Sequence, residues 1–168
     1  ARAFEEKLRL QRVPYKLVGG QSWFDRKEIR DVLAYWTAAV NPSDDVAFLR
    51  IINVPQRGIG TVTVEKLDRF ARATGLRLQE AALKIGNGEG EFQPRVREAL
   101  AGVSTDFQNA RSRLAIGTAA AMARGLLEDV GYREAIKDLY TDPLIRDARW
   151  ASVDDLIKAV AEWEARNP

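Results

Sequence analysis

The sequence predicts an all-α protein, built as an irregular bundle of seven or eight helices. Apolar residues recur along most of the chain at the 3.6-residue spacing of amphipathic helices. Proline and glycine stand where these periodic segments start and stop, as is typical of helix ends. A single short stretch, residues 14–18, alternates like a β-strand, and no partner strand follows it. The fold class is therefore all-α, with a short strand-bearing stub at the N-terminus.

The composition is that of a globular chain without cysteine or histidine chemistry. Of its 168 residues, 46% are apolar and 30% are charged, which excludes a disordered polymer. Cysteine and histidine are absent, so disulfides, Ser-His and Cys-His nucleophiles and most zinc sites are excluded. No apolar run reaches the roughly 18 residues of a membrane span. The chain begins without methionine or a signal-peptide pattern, and we expect it to be a piece of a larger protein.

The positive charge is concentrated in the first half of the chain. The formal net charge is +2. Residues 1–75 contain 13 Lys or Arg and 9 Asp or Glu, whereas residues 76–168 contain 13 and 15. This distribution favours a modest contact with a polyanion on one side of the molecule. Ordinary scatter of charges is the alternative explanation.

The N-terminal region is predicted to combine a helix, the strand and an aromatic turn. The helix covers Phe4–Leu10, and the strand over residues 14–18 is closed by two glycines. Because a strand needs a partner, we expect its sheet to belong to the parent protein. A turn over residues 22–26 then leads into a helix over Lys27–Val40, which has one apolar face.

Two adjacent acids fall in the first turn of the next predicted helix. Ser43 is placed as its N-cap, followed by Asp44 and Asp45, and the helix runs to about Ile52. Paired carboxylates also suggest a metal or general-acid site. No further ligand cluster accompanies them, so interaction with the helix dipole is the preferred explanation.

The stretch Ile51–Leu67 has the sequence IINVPQRGIGTVTVEKL and is predicted as a helix-hairpin-helix-like element. Pro55 disfavours helical geometry in the residue before it, which ends the first helix. The second helix starts at Thr61 or Thr63, either of which supplies a hydroxyl for the N-cap in this prediction.

The glycines of this hairpin predict an anion site. Gly58 and Gly60 are able to adopt positive φ and leave no side chain above the backbone, while apolar Ile59 between them is placed in the core. Bare N–H groups at the start of a helix bind phosphate, and Arg57 and Lys66 add positive charge. A tight interhelical turn that binds no ligand is the alternative.

The helices that follow are defined by their caps and apolar faces. Gly75 is the expected left-handed cap of the hairpin's second helix. The loop 86–90 is glycine-rich but lacks the GK[ST] of an NTPase phosphate loop, so it is interpreted as a linker. From Pro94 to Leu114 apolar residues recur at spacings of four and three, which favours a core-facing seam over docking of a partner helix. The other predicted helices are Leu78–Ile85, Thr118–Asp129, Tyr132–Tyr140 and Val153–Arg166.

The last helix is predicted to start late. Asp142-Pro143 is interpreted as a break in the chain. Ser152 and Asp155 have the spacing of a capping box, so the helix is placed from Val153 onward.

Several segments, taken in order, carry a resemblance to a known family. They read VPYKLVGG, then WFDRKEIRDVLAYW, NPSDD and RIINVPQRGIG. Over residues 1 to about 75 they resemble the UvrD/Rep/PcrA type of superfamily 1 DNA helicase. Trp23 and Arg30 depart mildly from the family pattern, and residues 76–150 match it only in helical pattern. The segments VGYREAI and SVDDLIKAVAEWEARNP resemble the family again.

The resemblance implies a placement and a set of contact residues. Residues 21–168 correspond to the helical 2B subdomain, and residues 1–20 to a remnant of motor domain 2A. The implied contacts to duplex DNA are Arg57, Gly58, Ile59, Gly60, Thr61, Thr63 and Lys66. A single-stranded DNA track is implied near Gly19, Gly20, Phe24 and Arg26.

The resemblance also implies what the parent protein does. The parent is expected to be an ATP-dependent DNA helicase that uses ATP and Mg²⁺ in unwinding, repair or replication restart. These residues contain no Walker A segment, acidic helicase box or arginine-finger segment, so no cofactor and no catalysis are expected of the fragment itself. Implied partners are double-stranded DNA at a fork or junction, other helicase subdomains and repair proteins. The implied location is the cytoplasm, at the nucleoid, without membrane contact.

Three functions compete at this point. The first is an accessory subdomain that binds duplex DNA. The second is a protein-docking or autoregulatory module of the same helicase, without direct DNA contact. The third, a stand-alone repair enzyme, is disfavoured because the chain offers no nucleophile, histidine or carboxylate cluster. Salt-dependent binding of duplex DNA separates the first from the second.

Overall fold

The computed structural model describes residues 7, 8, 10–13 and 23–167, and within these ranges it contains helices and no β-strand. A 3₁₀ turn over Trp23–Asp25 precedes eight α-helices in this part of the chain. They are α1 Lys27–Val40, α2 Asp45–Ile51, α3 Thr61–Thr74, α4 Leu78–Gly86, α5 Pro94–Ile116, α6 Ala119–Asp129, α7 Tyr132–Leu139 and α8 Pro143–Arg166. None of these described helices is both long and apolar enough to cross a membrane.

The all-α prediction is confirmed for the described residues. Helix α1 has the predicted bounds, and Gly75 closes α3 in the left-handed conformation with φ of 68°. The predicted strand over residues 14–18 lies outside the described residues. So does most of the predicted helix Phe4–Leu10, of which Lys7, Leu8 and Leu10 are described and helical.

The prediction that Ser43 caps α2 is wrong. Asp44 is the N-cap, and its Oδ1 accepts a hydrogen bond from the Ala47 amide at 2.8 Å. The neighbouring Asp45 accepts from the Leu78 amide at 3.1 Å, at the start of α4. Both acids therefore lie at the N-terminus of α2, as the helix-dipole interpretation predicted, and Asp45 in addition serves the N-terminus of α4. No group of three or more potential metal ligands exists among the described residues.

The predicted start of the last helix is also wrong. Helix α8 begins at Pro143, and Asp142 caps it by accepting from the Leu144 amide at 2.8 Å. Proline is tolerated at the first helical position, where its missing N–H has no partner to lose. Ser152 lies inside the helix, donates to the Ala148 carbonyl and accepts from Arg26 Nη1, both at 3.1 Å.

Helix α1 lies at the centre of the core and packs against α2, α5, α6 and α8. Its Ile29, Val32 and Tyr35 are completely buried. The predicted seam of α5 also faces this core, which confirms that part of the sequence analysis. The seam residues that are buried are Leu100, Val103, Phe107 and Ala110.

Two buried acids of α1 join four helices. Asp31, 1% exposed, pairs with Arg50 of α2 at 2.8 Å and with Lys27 at 2.6 Å. Tyr132 of α7 donates its hydroxyl to Asp31 Oδ2 at 3.2 Å. Burial, reinforced by the Asp31 charge, raises the pKa of Tyr132 well above its ordinary value. The second acid, Glu28, pairs with Arg149 of α8 at 3.1 Å. Removing either buried acid would leave charges uncompensated in the core.

Two glycines make a matched test of the contact between α4 and α5. A Cβ on Gly86 would lie 2.9 Å from Ala101 Cα, whereas a Cβ on Gly102 has no neighbour within 4 Å. We expect Gly86→Ala to lower the free energy of unfolding by about 1–3 kcal/mol through overpacking. Gly102→Ala should raise it by about 0.5–1 kcal/mol, because alanine is the better helix former. Urea unfolding followed by circular dichroism measures both, and a stabilised Gly86→Ala protein would contradict the close approach of the helices.

Candidate nucleic-acid interface

We call the segment between α2 and α3, residues 53–60, the GIG turn. Hydrogen bonds to the Asn53 side chain and the buried side chain of Ile59 hold it in place. Asn53 Oδ1 accepts hydrogen bonds from the amides of Arg57, at 2.8 Å, and Ile59, at 3.1 Å. Ile59 is 2% exposed, which confirms its predicted place in the core. The Val54–Pro55 peptide bond is cis. Gly58 and Gly60 are therefore exposed at the surface, while Ile59 between them is buried in the core.

The two glycines of the GIG turn have different conformations. Gly58 has φ of +75°, in the region that favours glycine. Gly60 has φ of −86° and ψ of −178°, which is extended backbone that any residue adopts. A Cβ on Gly60 would meet no atom within 4 Å. Of the two glycines, only Gly58 has a positive φ. Gly60 contributes to the turn by leaving open space above its backbone.

The first turn of α3 has no side-chain cap. The predicted threonine cap is wrong, because Gly60 is the N-cap residue and has no side chain to offer. The first intrahelical bond runs from the Val64 amide to the Gly60 carbonyl at 3.0 Å. The amides of residues 61–63 therefore remain as donors at the positive end of the helix dipole, with no acid in that turn. Such an end is suited to an anion.

At the N-terminus of α6, by contrast, a carboxylate accepts hydrogen bonds from the first amides of the helix. The Glu164 carboxylate of α8 accepts from the amide of Ala119 at 2.5 Å and from that of Ala120 at 3.0 Å. Thr118 completes the cap by accepting from the Ala121 amide at 3.1 Å. An internal anion thus satisfies α6, whereas no side chain in the described part of the chain caps the first amides of α3.

Arg57 points inward. Its Nη1 lies 2.9 Å from the Val54 carbonyl oxygen and 3.3–3.4 Å from three more, those of Ile51, Ile52 and Pro55. Its Nη2 donates to the Tyr35 hydroxyl at 3.1 Å, and that hydroxyl donates to the Val54 carbonyl. The guanidinium thereby satisfies carbonyls at the C-terminal end of α2, where a cation is favoured. A direct phosphate contact by Arg57 stays a prediction.

Burial raises the pKa of two ionisable side chains near Arg57, those of Tyr35 and Asp106. It raises the pKa of Tyr35 to about 12, although the Arg57 charge and hydrogen bond act in the opposite direction. It also raises the pKa of Asp106, again against the attraction of Arg57. Arg57 therefore sits close to ionisable groups that the protein interior holds toward their neutral forms.

Lys66 is exposed, but its ammonium group already contacts the loop 87–93. Its Nζ donates to the Glu91 carbonyl and lies 4.9 Å from the centre of the Phe92 ring. Phe92 in turn packs edge-on against Phe70, with ring centres 6.2 Å apart. These contacts fix the loop 87–93 beside α3.

The predicted single-strand track lies partly outside the described residues, since Gly19 and Gly20 are not among them. Phe24 meets Trp23 edge-on at 4.9 Å, and Arg26 is bonded to Ser152 of α8. Phe24 also lines a groove along α8, so these two residues face that helix.

Sequence reasoning missed one residue beside the turn, Arg95 in the first turn of α5. Its guanidinium atoms lie 3.6–3.8 Å from where a Cβ on Gly58 would stand. No sequence signal indicates this neighbour, because 36 residues separate Gly58 from Arg95 and no motif joins them.

Comparisons with known proteins relate the chain to DNA helicases. Residues 1–93 match the UvrD-like helicase C-terminal domain family. The chain is 33% identical to the probable DNA helicase II homolog of Rickettsia felis and 35% identical to the ATP-dependent DNA helicase Rep of Escherichia coli, each over 162 residues. It is 29% identical to the ATP-dependent DNA helicase PcrA of Bacillus subtilis over 168 residues. These alignments cover 96–99% of the chain but 22–24% of the relatives, so the chain spans about a quarter of their length.

Burial of the Tyr35 hydroxyl makes the stability of the fold depend on pH in the alkaline range. Since the pKa of Tyr35 is about 12 in the folded protein, against 10.0 ordinarily, the unfolded chain ionises first. The free energy of unfolding should therefore fall as pH rises from about 10 to about 12. We expect Tyr35→Phe to show a shallower fall, and to be about 1–3 kcal/mol less stable at pH 7 because its polar partners stay buried. Urea unfolding at several pH values measures both effects, and an unchanged pH slope in the variant would contradict this account.

Proposed function

This chain belongs to the UvrD-like helicase family, and on that premise we propose that it binds duplex DNA as an accessory and regulatory subdomain. Residues 21–168 are proposed as the helical 2B subdomain and residues 1–20 as a remnant of motor domain 2A. The proposed parent is an ATP-dependent DNA helicase, acting in unwinding, repair or replication restart. The names of the relatives Rep and PcrA, both ATP-dependent DNA helicases, support that parent.

The observation that carries the proposal is the open N-terminus of α3 beneath Gly60. Its first amides lack a side-chain cap, and the space above Gly60 is empty for at least 4 Å. A backbone phosphate of DNA is an anion that such amides bind through charge-assisted hydrogen bonds. Amide contacts to phosphate read no bases, so the proposed binding is independent of sequence.

The proposed interface residues divide into surface groups and supports, and together they act as a helix-hairpin-helix-like element. Gly58 and Gly60 provide close approach, and Thr61 and Thr63 provide amides and hydroxyls. Lys66 adds positive charge beside the loop 87–93. Arg57 and Ile59 hold the turn from below, through the backbone carbonyls and the core respectively. For Arg57 this support is observed in addition to the phosphate contact that stays proposed.

Chemistry is proposed for the parent and not for this subdomain. ATP and Mg²⁺ belong to the parent's motor domains in this proposal, and the chain contributes a grip on the duplex at a fork or junction. Gly19, Gly20, Phe24 and Arg26 stay proposed as part of a single-stranded DNA track. Other subdomains of the helicase and repair proteins are the proposed protein partners.

An exposed apolar groove supports the alternative, a protein-docking or autoregulatory module of the same helicase. The groove has a volume of about 490 Å³ and is lined by Leu156, Val160 and Trp163 of α8, with Phe24 opposite. Trp163 is 60% exposed, and exposed aromatic residues of this kind are common at protein interfaces. In this alternative Trp163→Ala abolishes association with the helicase's other subdomains, and changes at the GIG turn leave DNA binding unaffected.

Gly60→Val tests the DNA-binding proposal. The backbone at Gly60 accepts valine without strain, and the new side chain would occupy the space proposed for the phosphate. We expect wild-type Kd values of about 10⁻⁴ to 10⁻⁶ M for random-sequence duplex at physiological salt. The variant should bind about tenfold more weakly or worse, since hydrogen bonds to charged groups contribute about 1.5–3 kcal/mol.

Gly102→Val is the matched control, because its Cβ also enters open space on a described helix. It should retain wild-type affinity in the same fluorescence titration. Circular dichroism and urea unfolding establish that both variants are folded. Wild-type affinity in a folded Gly60→Val protein would refute the proposed contact and favour the docking alternative.

A further inference from the structure

We propose that Arg95 of α5 is the cation of the GIG-turn site and pairs with a DNA backbone phosphate beside the one held by the α3 amides. The inference rests on the proposed duplex binding and goes beyond it, because it assigns the charge of the site to a helix outside the hairpin. It therefore makes the interface a composite of α3, the GIG turn and the first turn of α5.

The cations Arg57, Lys66 and Arg97 are already engaged. Arg57 is committed to carbonyls at the end of α2 and in the GIG turn, and to the Tyr35 hydroxyl. Lys66 donates to the Glu91 carbonyl. Arg97 of α5 donates to the carbonyls of Phe92, at 3.1 Å, and Gly90. A phosphate at the turn would have to compete with these backbone oxygens for each of the three side chains.

Arg95 has no such commitment. It is exposed, and it forms no ion pair or hydrogen bond with any residue that the structure describes. Its Nε lies 3.6 Å from the position that a Cβ on Gly58 would take, so the guanidinium lies beside the turn.

Arg95 lies beside Gly58, and Gly58 is close along the chain to the first amides of α3. Gly58 and Gly60 are two residues apart, so their Cα atoms are separated by about 7.6 Å at most. The guanidinium beside Gly58 and the open amides after Gly60 thus lie within one short stretch of surface. Successive phosphates on one strand advance by about 3.4 Å along the helix axis. One strand is therefore able to present a phosphate to each group.

The position of Arg95 within its own helix is electrostatically unfavourable, which a phosphate would explain. Arg95 is the second residue of α5, and no acid stands in that first turn. The N-cap, Gln93, makes no side-chain cap. A cation at the positive end of a helix dipole opposes folding. Residues that break a local rule without structural compensation are expected at functional sites, and an anion at this place supplies the compensation.

The experiment compares Arg95→Gln with Lys158→Gln, which removes one exposed charge from α8. Lys158 likewise has no ion pair or hydrogen bond among the described residues. Binding of a random-sequence duplex by the 168-residue chain is titrated at several salt concentrations. We expect Arg95→Gln to weaken binding about three- to tenfold at about 0.1 M salt and to reduce the slope of log K against log salt by about one unit. Lys158→Gln should change the slope by clearly less.

A second measurement separates binding from stability. Because its charge opposes the dipole, removing Arg95 should leave the urea midpoint unchanged or raise it. Weaker binding together with a lowered midpoint would overturn the proposal, since it would show a structural role. Equal salt slopes for the two variants would overturn it as well.

The Gly60→Val result separates this inference from the proposed function. If Gly60→Val abolishes binding while Arg95→Gln matches the Lys158→Gln control, the GIG turn binds DNA and the role of Arg95 is refuted. If Gly60→Val and Arg95→Gln both leave binding unchanged, the proposed function itself fails and this inference fails with it.

Discussion

The GIG turn depends on how the carbonyls at the end of α2 are satisfied. A helix leaves its last carbonyls without intrahelical partners, and a buried carbonyl without a donor is costly. One guanidinium, that of Arg57, meets four carbonyl oxygens within 3.4 Å, and the Tyr35 hydroxyl meets one of them again. With Asn53 bridging two amides across the turn, the backbone is fixed from below. The surface of the turn is free for a ligand because its polar groups are satisfied on the inner side.

The spacing of apolar residues and the positions of glycine and proline predicted most of the fold. The bounds of α1, the glycine cap of α3 and the buried seam of α5 follow from apolar spacing and from residues with one strong conformational preference. Helix starts were harder to predict. Asp142-Pro143 fits both a break and an N-cap followed by a first helical residue, and only the packing of α8 on its neighbours decides between them. The cap of α2 was misplaced by one residue because Ser43 and Asp44 both carry side chains that are able to cap a helix.

The conformation of the GIG turn followed in part from its sequence, whereas the directions of the nearby cationic side chains did not. The glycines and the buried Ile59 follow from local chemistry, since each acts on the residues next to it. The inward direction of Arg57 depends on Tyr35, 22 positions away, and the approach of Arg95 depends on how α5 folds back. Sequence proximity indicates that a cation is near a turn, but it does not indicate which way the side chain points.

The buried ion pairs of α1 have a mechanical consequence. Arg50, at the end of α2 just before the GIG turn, is tied to Asp31, which also accepts from Tyr132 of α7. Three residues earlier on α1, Glu28 is tied to Arg149 of α8. A force on the turn is therefore transmitted to ionic contacts that join α1, α2, α7 and α8, and breaking these contacts would leave a carboxylate uncompensated in the core. We therefore expect these four helices to move together, as one rigid unit, when a force is applied at one face of the protein.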